Sequence, residues 1–175
     1  SLSGFHSSVT LVEDYDGRLG TARIANIENI NSGAGNDIVD LTSPDYSLIG
    51  QNIIVDGGSG NDTLWGSDAN ETLKGGVGDD VLFGGAGTNA LTGGAGADEF
   101  QFTKTSTNDT IKDFSLIDGD TLKFFNKGGA LFDRDSVSLT GDVLSISDGT
   151  DVLTITLEGA GLQSNDLGSD VLIIG

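Results

Sequence analysis

Three aspartates, Asp62, Asp80 and Asp98, recur at intervals of eighteen residues, each five positions after the first glycine of a glycine-rich stretch. A carboxylate beside backbone with so little side-chain bulk is an oxygen donor with open access to a shared centre. If eighteen residues make one turn of a coil, the three acids stand in a row, separated by a strand spacing of about 4.8 Å. Like charges that close repel by several kcal/mol per pair at an effective dielectric of about 20, so the row calls for a cation between neighbours. Calcium suits it: a hard ion that accepts roughly six to eight oxygens in flexible geometry, at which glycine turns can direct backbone carbonyls without steric penalty. Magnesium fits less well, because it demands strict octahedral geometry and holds its waters.

The elements that must position this row follow from a nine-residue period. Residues 57–101 divide without gaps into five nonapeptides, GGSGNDTLW, GSDANETLK, GGVGDDVLF, GGAGTNALT and GGAGADEFQ. An earlier copy, SGAGNDIVD at 32–40, is separated from them by a sixteen-residue insert, LTSPDYSLIGQNIIVD, at 41–56. The eighth position holds Val39, Leu64, Leu73, Leu82, Leu91 and Phe100. One apolar residue every ninth step is neither helical nor plainly alternating, and predicts a coil with one inward side chain per half-turn. Positions seven to nine then form a short strand and positions one to six a turn, two repeats completing one coil. The expected fold is all-β, a parallel β-roll (a β-solenoid) of two sheets, with β-strand caps at both ends. Each inward leucine contributes about 1.5–3 kcal/mol, and so few of them do not offset the entropy of ordering so many glycines. Burial alone would leave the segment unfolded.

Composition agrees. With 175 residues the chain suits one elongated or two small domains. Eight Lys and Arg oppose 27 Asp and Glu, a net charge of −19 that favours cations and disfavours nucleic acid and anionic membranes. The 36% of hydrophobic residues recur regularly, which argues for an ordered chain despite that charge. There are 28 glycines and one proline, a ratio suited to turns of positive φ. Cysteine is absent, so no disulfide can stabilise the fold and bound metal is the candidate substitute. No apolar stretch is long enough for a membrane-spanning helix. The opening Ser-Leu-Ser-Gly, with neither initiating Met nor signal sequence, reads as part of a longer protein.

The pattern GGxGxDxUx resembles the hemolysin-type, or RTX, calcium-binding repeat, over about residues 26–125. That resemblance implies calcium ions between turns eighteen residues apart, held by the sixth-position Asp of each turn and by carbonyls of the glycine stretch. Carried onto this sequence, it makes Asp62, Asp80 and Asp98 side-chain ligands. The carbonyls are those of Gly57, Gly58, Ser59 and Gly60, of Gly75, Gly76, Val77 and Gly78, and of Gly93, Gly94, Ala95 and Gly96, giving two full sites. The opposite edge departs from the pattern. Glu71 replaces Asp, Ala69 replaces Gly, and Asn89 brings a neutral amide beside Gly84, Ala86 and Gly87, so weaker binding is expected there. Asp37 precedes Asp62 by twenty-five residues and rejoins the stronger row if the insert forms one irregular coil.

Beyond Gln101 the period breaks. FQFTKTSTNDTIKDFSLIDGDTLKFF resembles the segment that closes the roll in serralysin-type protease C-domains, alginate epimerase R-modules and large repeat adhesins. Asp109 matches a capping calcium ligand of that segment, although TKTST lacks the second acid usual there. Phe100, Phe102, Ile111, Phe114, Leu122 and Phe124 are expected to cover the open end of the stack. Further on, DVLSISDGTDVLTITLEG alternates as a hairpin around Asp148-Gly149, and DVLIIG adds a strand. Asp170 through Ile174 resembles the uncleaved export signal of type I secretion substrates. The expected division is an N-terminal cap or lead-in at 1–31, the roll at 32–101, a closing segment at 102–130 and a C-terminal β cap at 131–175.

Sharper chemistry finds little material. His6 is the single histidine and reads as a surface residue, not as part of a triad or zinc site. Trp65, at an outward ninth position, could stack on a sugar, but packing against a neighbour or the insert is favoured. Asp118 and Asp120 could be an acid–base pair, but DGD between apolar runs reads as a hairpin turn. The third repeat position runs Ala, Ser, Asp, Val, Ala, Ala, so it offers no ice-binding ladder. The chain reads as a non-enzymatic calcium module of a larger secreted bacterial protein, extended in the low calcium of the cytosol and folding outside, with the type I secretion machinery as partner. The alternative is a surface- or polysaccharide-binding module of an extracellular adhesin or enzyme.

Overall fold

The computed structural model describes residues 8–10, 28–42, 47–103, 106, 108–125, 137–147, 152–163, 166–168 and 172–174. His6, the Asp148-Gly149 turn and Asp170 lie outside them. Every regular element among the described residues is a β-strand, and the chain winds between two sheets. The first sheet holds β1 (Ser8–Thr10), β3 (Ile38–Asp40), β5 (Thr63–Trp65), β7 (Val81–Phe83), β9 (Glu99–Phe102), β11 (Thr121–Phe124) and β15 (Leu172–Ile174), all parallel. The second runs in parallel through β2 (Asn29–Ala34), β4 (Asn52–Ser59), β6 (Asn70–Val77), β8 (Ala90–Ala95), β10 (Asp109–Ile111) and β14 (Val152–Leu157). It ends in an antiparallel meander through β13 (Val143–Ser147) and β12 (Val137–Thr140). This is the two-sheet parallel roll that the nine-residue period predicts.

The eighth-position side chains are the reason for that winding. Val39, Leu64, Leu82 and Phe100 point inward from the first sheet, Leu73 and Leu91 from the second, and each is no more than 1% exposed. Within the array the register steps by eighteen, pairing Leu64 with Leu82 and Leu73 with Leu91. The strands of the two sheets differ in length, however. β5 and β7 have the three residues expected, whereas β4 and β6 have eight. The extra length is the glycine turn itself, which continues the ladder by pairing Gly58 with Gly76 and Gly76 with Gly94. Only glycine permits this: Gly76 has φ +117°, and a Cβ there would lie 2.2 Å from the Gly58 carbonyl oxygen.

The nonapeptide period stops at Gln101, but the solenoid does not. β10 and β11 add another coil, with Thr110 against Ala90 and Thr121 against Glu99. The six apolar residues expected to cover the open end are instead buried inside it, where the Phe102 and Phe124 rings stack at 5.4 Å and those of Phe100 and Phe114 lie 6.1 Å apart. What lies beyond is β14 on β10 and β15 on β11. Leu144, Ile146, Leu153, Ile155 and Leu157 bury the inner face of the meander.

Replacing Gly76 by Ala should cost at least about 1–3 kcal/mol from the backbone strain alone, and more from overlap with the carbonyl. Gly168→Ala, with negative φ and open space around its Cβ position, should stay within about 0.5 kcal/mol. Urea unfolding of both variants in saturating calcium measures the difference.

Candidate metal centre

Turns 57–62, 75–80 and 93–98 carry the chain from the second sheet to the first and stack along one edge. Their aspartates form a hydrogen-bonded ladder in which each backbone N–H donates to Oδ1 of the aspartate one coil later. Asp37 N donates to Asp62 Oδ1 at 2.7 Å, Asp62 N to Asp80 Oδ1 at 2.7 Å, Asp80 N to Asp98 Oδ1 at 2.9 Å, and Asp98 N to Asp120 Oδ1 at 3.0 Å. All five are buried. The insert therefore makes the irregular coil of twenty-five residues that returns Asp37 to the row.

Asp120 corrects the reading of DGD as a hairpin turn. β10 and β11 lie in different sheets, so residues 112–120 form a coil turn, and its last residue ends the ladder. A signal was present: Asp120 stands two residues before the inward Leu122, as Asp62, Asp80 and Asp98 stand before Leu64, Leu82 and Phe100. Asp113 was also missed. Its carboxylate accepts the N–H groups of Gly93 and Gly94 at 3.0 and 2.9 Å, replacing the partner strand that a regular coil would offer.

The other carboxylate oxygen is where the chemistry lies. Oδ2 of Asp62, Asp80 and Asp98 is buried and has no hydrogen-bond partner. It faces the first glycine of its own turn. A Cβ on Gly57 would lie 2.5 Å from Asp62 Oδ2 and 2.7 Å from the carbonyl oxygen of Gly75. On Gly75 the distances are 2.2 Å to Asp80 Oδ2 and 2.7 Å to the carbonyl oxygen of Gly93. Two acceptors from successive coils thus converge on a space kept open by the missing side chain, an arrangement costly in free energy without a donor or cation between them. At Gly93 the neighbour is Asp98 Oδ2 at 2.2 Å, but the following turn lacks the glycine pair. Among the described residues no three acidic or histidine side chains converge on one point, so backbone carbonyls must supply much of any coordination. Carbonyl and carboxylate oxygens together are the donor set of a hard cation, and calcium fits it. The third-position carbonyls of Ser59, Val77 and Ala95 each already accept an N–H, from Gly35, Gly60 and Gly78, and retain one lone pair.

Burial dominates the electrostatics. It pushes the carboxyl of Asp80 up to about 7 and that of Asp98 to about 6, with the charges of neighbouring aspartates adding to the rise. Asp62 and Asp120 are raised for the same reason.

On the opposite edge Glu71, Asn89 and Asp109 make a second row. Glu71 N donates to Asn89 Oδ1 at 2.8 Å, and Asn89 N to Asp109 Oδ1 at 2.9 Å. Glu71 Oε2 and Asp109 Oδ2 are buried without a partner, and burial raises both groups, Asp109 to about 7. The Ser67 hydroxyl donates to Glu71 Oε1. A Cβ on Gly66 would lie 2.3 Å from the Gly84 carbonyl oxygen and 3.1 Å from Glu71 Oε2, a looser version of the first-edge cradle. Gly87 packs its Cα against the Ala69 carbonyl, and the Asn89 amide donates to the Ala86 carbonyl. Trp65 is 38% exposed on the outer face of the first sheet, in register between Asp40 and Phe83.

A family model described as the RTX calcium-binding nonapeptide repeat matches residues 54–70 and 65–100, with four copies in all. No curated protein matches the chain.

The raised carboxyls have a consequence for pH. The folded values, about 7 for Asp80 and Asp109 and about 6 for Asp98, exceed the ordinary 3.8, so the fold binds more protons than the unfolded chain. In a chelator, stability should rise as pH falls from about 7 toward about 4 and be lost as pH climbs through about 7. In saturating calcium acid should instead destabilise, because protons compete for the same oxygens. Circular dichroism at pH 5 and 8, with and without calcium, would contradict this if the two series moved in the same direction.

Proposed function

We propose that this array of RTX nonapeptide repeats, which bind calcium, is a folding module for a protein exported from a bacterial cell, extended at low cytosolic calcium and wound into its roll outside. The observation that carries the reading is the paired-acceptor cradle at Gly57 and Gly75, where a buried carboxylate oxygen without a donor faces the next coil's carbonyl. Calcium between them would be held by Asp62, Asp80 and Asp98; Asp37 heads the ladder and Asp120 ends it, the latter with both oxygens accepting backbone N–H groups, from Asp98 and Ser115. Glu71 and Asp109 are the candidates on the other. A bound ion would neutralise the row and join successive coils, which is a structural role and requires no catalysis.

The magnitudes make folding and binding one event. An ion that binds only the folded state stabilises it by about 0.4–1.4 kcal/mol when free calcium is about one to ten times Kd. Sites of extracellular modules have Kd of roughly 10⁻⁴–10⁻³ M. Several such contributions along one stack are comparable with part of a net stability of about 5–15 kcal/mol. In the absence of the ion, the row of buried charges opposes folding, and the net charge of −19 keeps the chain extended. The lack of cysteine suits passage through any redox environment. The segment Asp170 through Ile174, an acid followed by aliphatic residues, resembles a type I export signal.

Circular dichroism during a calcium titration of the chain should show a cooperative gain of β structure that magnesium does not reproduce. Equal compactness after exhaustive chelation overturns the reading. Calorimetry on Asp80→Ala should lose more than one ion, since Asp80 presents Oδ2 to its own cradle and Oδ1 to the turn before it. A variant that keeps every ion would assign the ligands elsewhere. For the export step, a reporter fused to residues 131–175 should leave cells that carry a type I system and remain inside cells without one.

A further inference from the structure

The cradle that faces acceptors alone at Gly57 and Gly75 is occupied by a side-chain donor at two other turns. The first is at Asn89. Its Oδ1 accepts the Glu71 N–H at 2.8 Å, the bond that each row aspartate makes through the same atom. The second atom of its side chain is a nitrogen, and a Cβ on Gly84 would lie 2.6 Å from it, where Gly57 and Gly75 meet carboxylate oxygens at 2.5 and 2.2 Å. Nδ2 donates to Asp109 Oδ1 at 3.0 Å and to the Ala86 carbonyl at 3.2 Å. The amide orientation is determined by its surroundings, since Oδ1 faces a donor and Nδ2 faces two acceptors. Asn89 is 2% exposed, so water has no access to replace these bonds.

The second is at Ser32, which occupies the first position of turn 32–37, where the later turns of this edge have glycine. Its hydroxyl donates to the Gly57 carbonyl at 2.9 Å and shares that hydrogen with the Asp56 carbonyl at 3.2 Å. Gly57 is the counterpart of Gly75 and Gly93, whose carbonyl oxygens face the open cradles one coil before them. The serine side chain therefore fills the volume that glycine leaves empty elsewhere, and directs a hydrogen at the same acceptor.

We propose that Asn89 and Ser32 are built-in surrogates for calcium: at these two steps a side-chain hydrogen takes the position of the ion, and the metal is confined to the cradles that lack one. This inference rests on the calcium reading of the remaining cradles. Physically the substitution is small. An Asp-to-Asn change exchanges one oxygen for one N–H pair, removes a buried charge and satisfies the facing carboxylate with a charge-assisted hydrogen bond. Such a step stays closed when calcium is withdrawn, whereas its neighbours open. The two edges of the roll then differ in metal demand, and the first coil is joined to the second without an ion.

Calorimetric ion counts at saturating calcium, compared with the wild-type chain, test this. Asn89→Asp places a carboxylate oxygen against Asp109 and Ala86 and should gain one ion. Ser32→Gly opens the cradle below Gly57 and should also gain one. Asn89→Ala should keep the wild-type count while its thermal midpoint in calcium falls, because the amide bonds are lost and no ligand is. A lost ion in Asn89→Ala would make Asn89 a ligand and overturn the proposal, as would an unchanged count in a folded Asn89→Asp. If Asn89→Asp does not fold at any calcium concentration, the Asn89→Ala and Ser32→Gly counts decide the question by themselves. Wild-type chain that takes up no calcium at all would remove the underlying reading instead, and is seen before any variant is compared.

Discussion

Within the eighteen-residue coils a row carboxylate finds one backbone donor and not two, whereas Asp120, at the end of a longer coil, also accepts the Ser115 N–H. The N–H available to a row carboxylate is that of the corresponding residue one coil earlier, and the ladder from Asp37 to Asp120 uses one oxygen of each acceptor carboxylate in that way. The remaining oxygen of Asp62 and of Asp80 faces the glycine of its own turn and the carbonyl of the next, and that of Asp98 faces the glycine of its own turn. Because every turn repeats the same geometry, the shortfall repeats too, and it lies along a line. Buried acceptors without donors are costly, so whatever closes this line, ion or proton or side-chain hydrogen, controls whether the coils can approach to strand spacing.

Other features follow from that line. Glycine at the first turn position leaves room for the carboxylate and carbonyl oxygens to meet. Glycine at the second lets the chain turn the corner while still paired with its neighbour, which is why the strands of the second sheet run on into the turn. The core is correspondingly thin. One inward side chain per half-turn gives a narrow stack of leucines, insufficient alone against the entropy of a glycine-rich chain. Toward the C-terminus the balance changes. Coils lengthen, phenylalanines replace leucines and a meander of alternating strands buries its own face, so stability there depends more on apolar area and less on the turns.

Irregular coils are tolerated because the ladder constrains only the edge. Steps of twenty-five, eighteen, eighteen and twenty-two residues all return an aspartate to the same row. Surplus residues bulge away from it. Those of the insert extend the opposite edge, where Asp68 accepts the Leu48 N–H and the Ser47 hydroxyl. Asp113 performs a similar repair near the end of the stack, offering its carboxylate to two glycine N–H groups that have no regular partner strand.

The nine-residue period, the inward positions and the first-edge acids were legible in the sequence, because each depends only on residue type and a constant interval. A repeat of fixed length maps onto a coil of fixed length, so Asp62, Asp80 and Asp98 had to align. Ser32, Asp113 and the place of Asp109 in the second row were not legible, and Asp120 carried only its spacing before Leu122, since coils of twenty, twenty-two and twenty-five residues bring these residues into register and no local interval encodes those lengths. The same holds for Asn89. By sequence it is a weakened ligand; in the folded chain its amide faces Asp109 and Ala86, and whether a nitrogen there is a defect or a substitute for an ion depends on what lies opposite. Tertiary structure decided that, because the sign of a hydrogen bond is a property of two partners and the second comes from another coil.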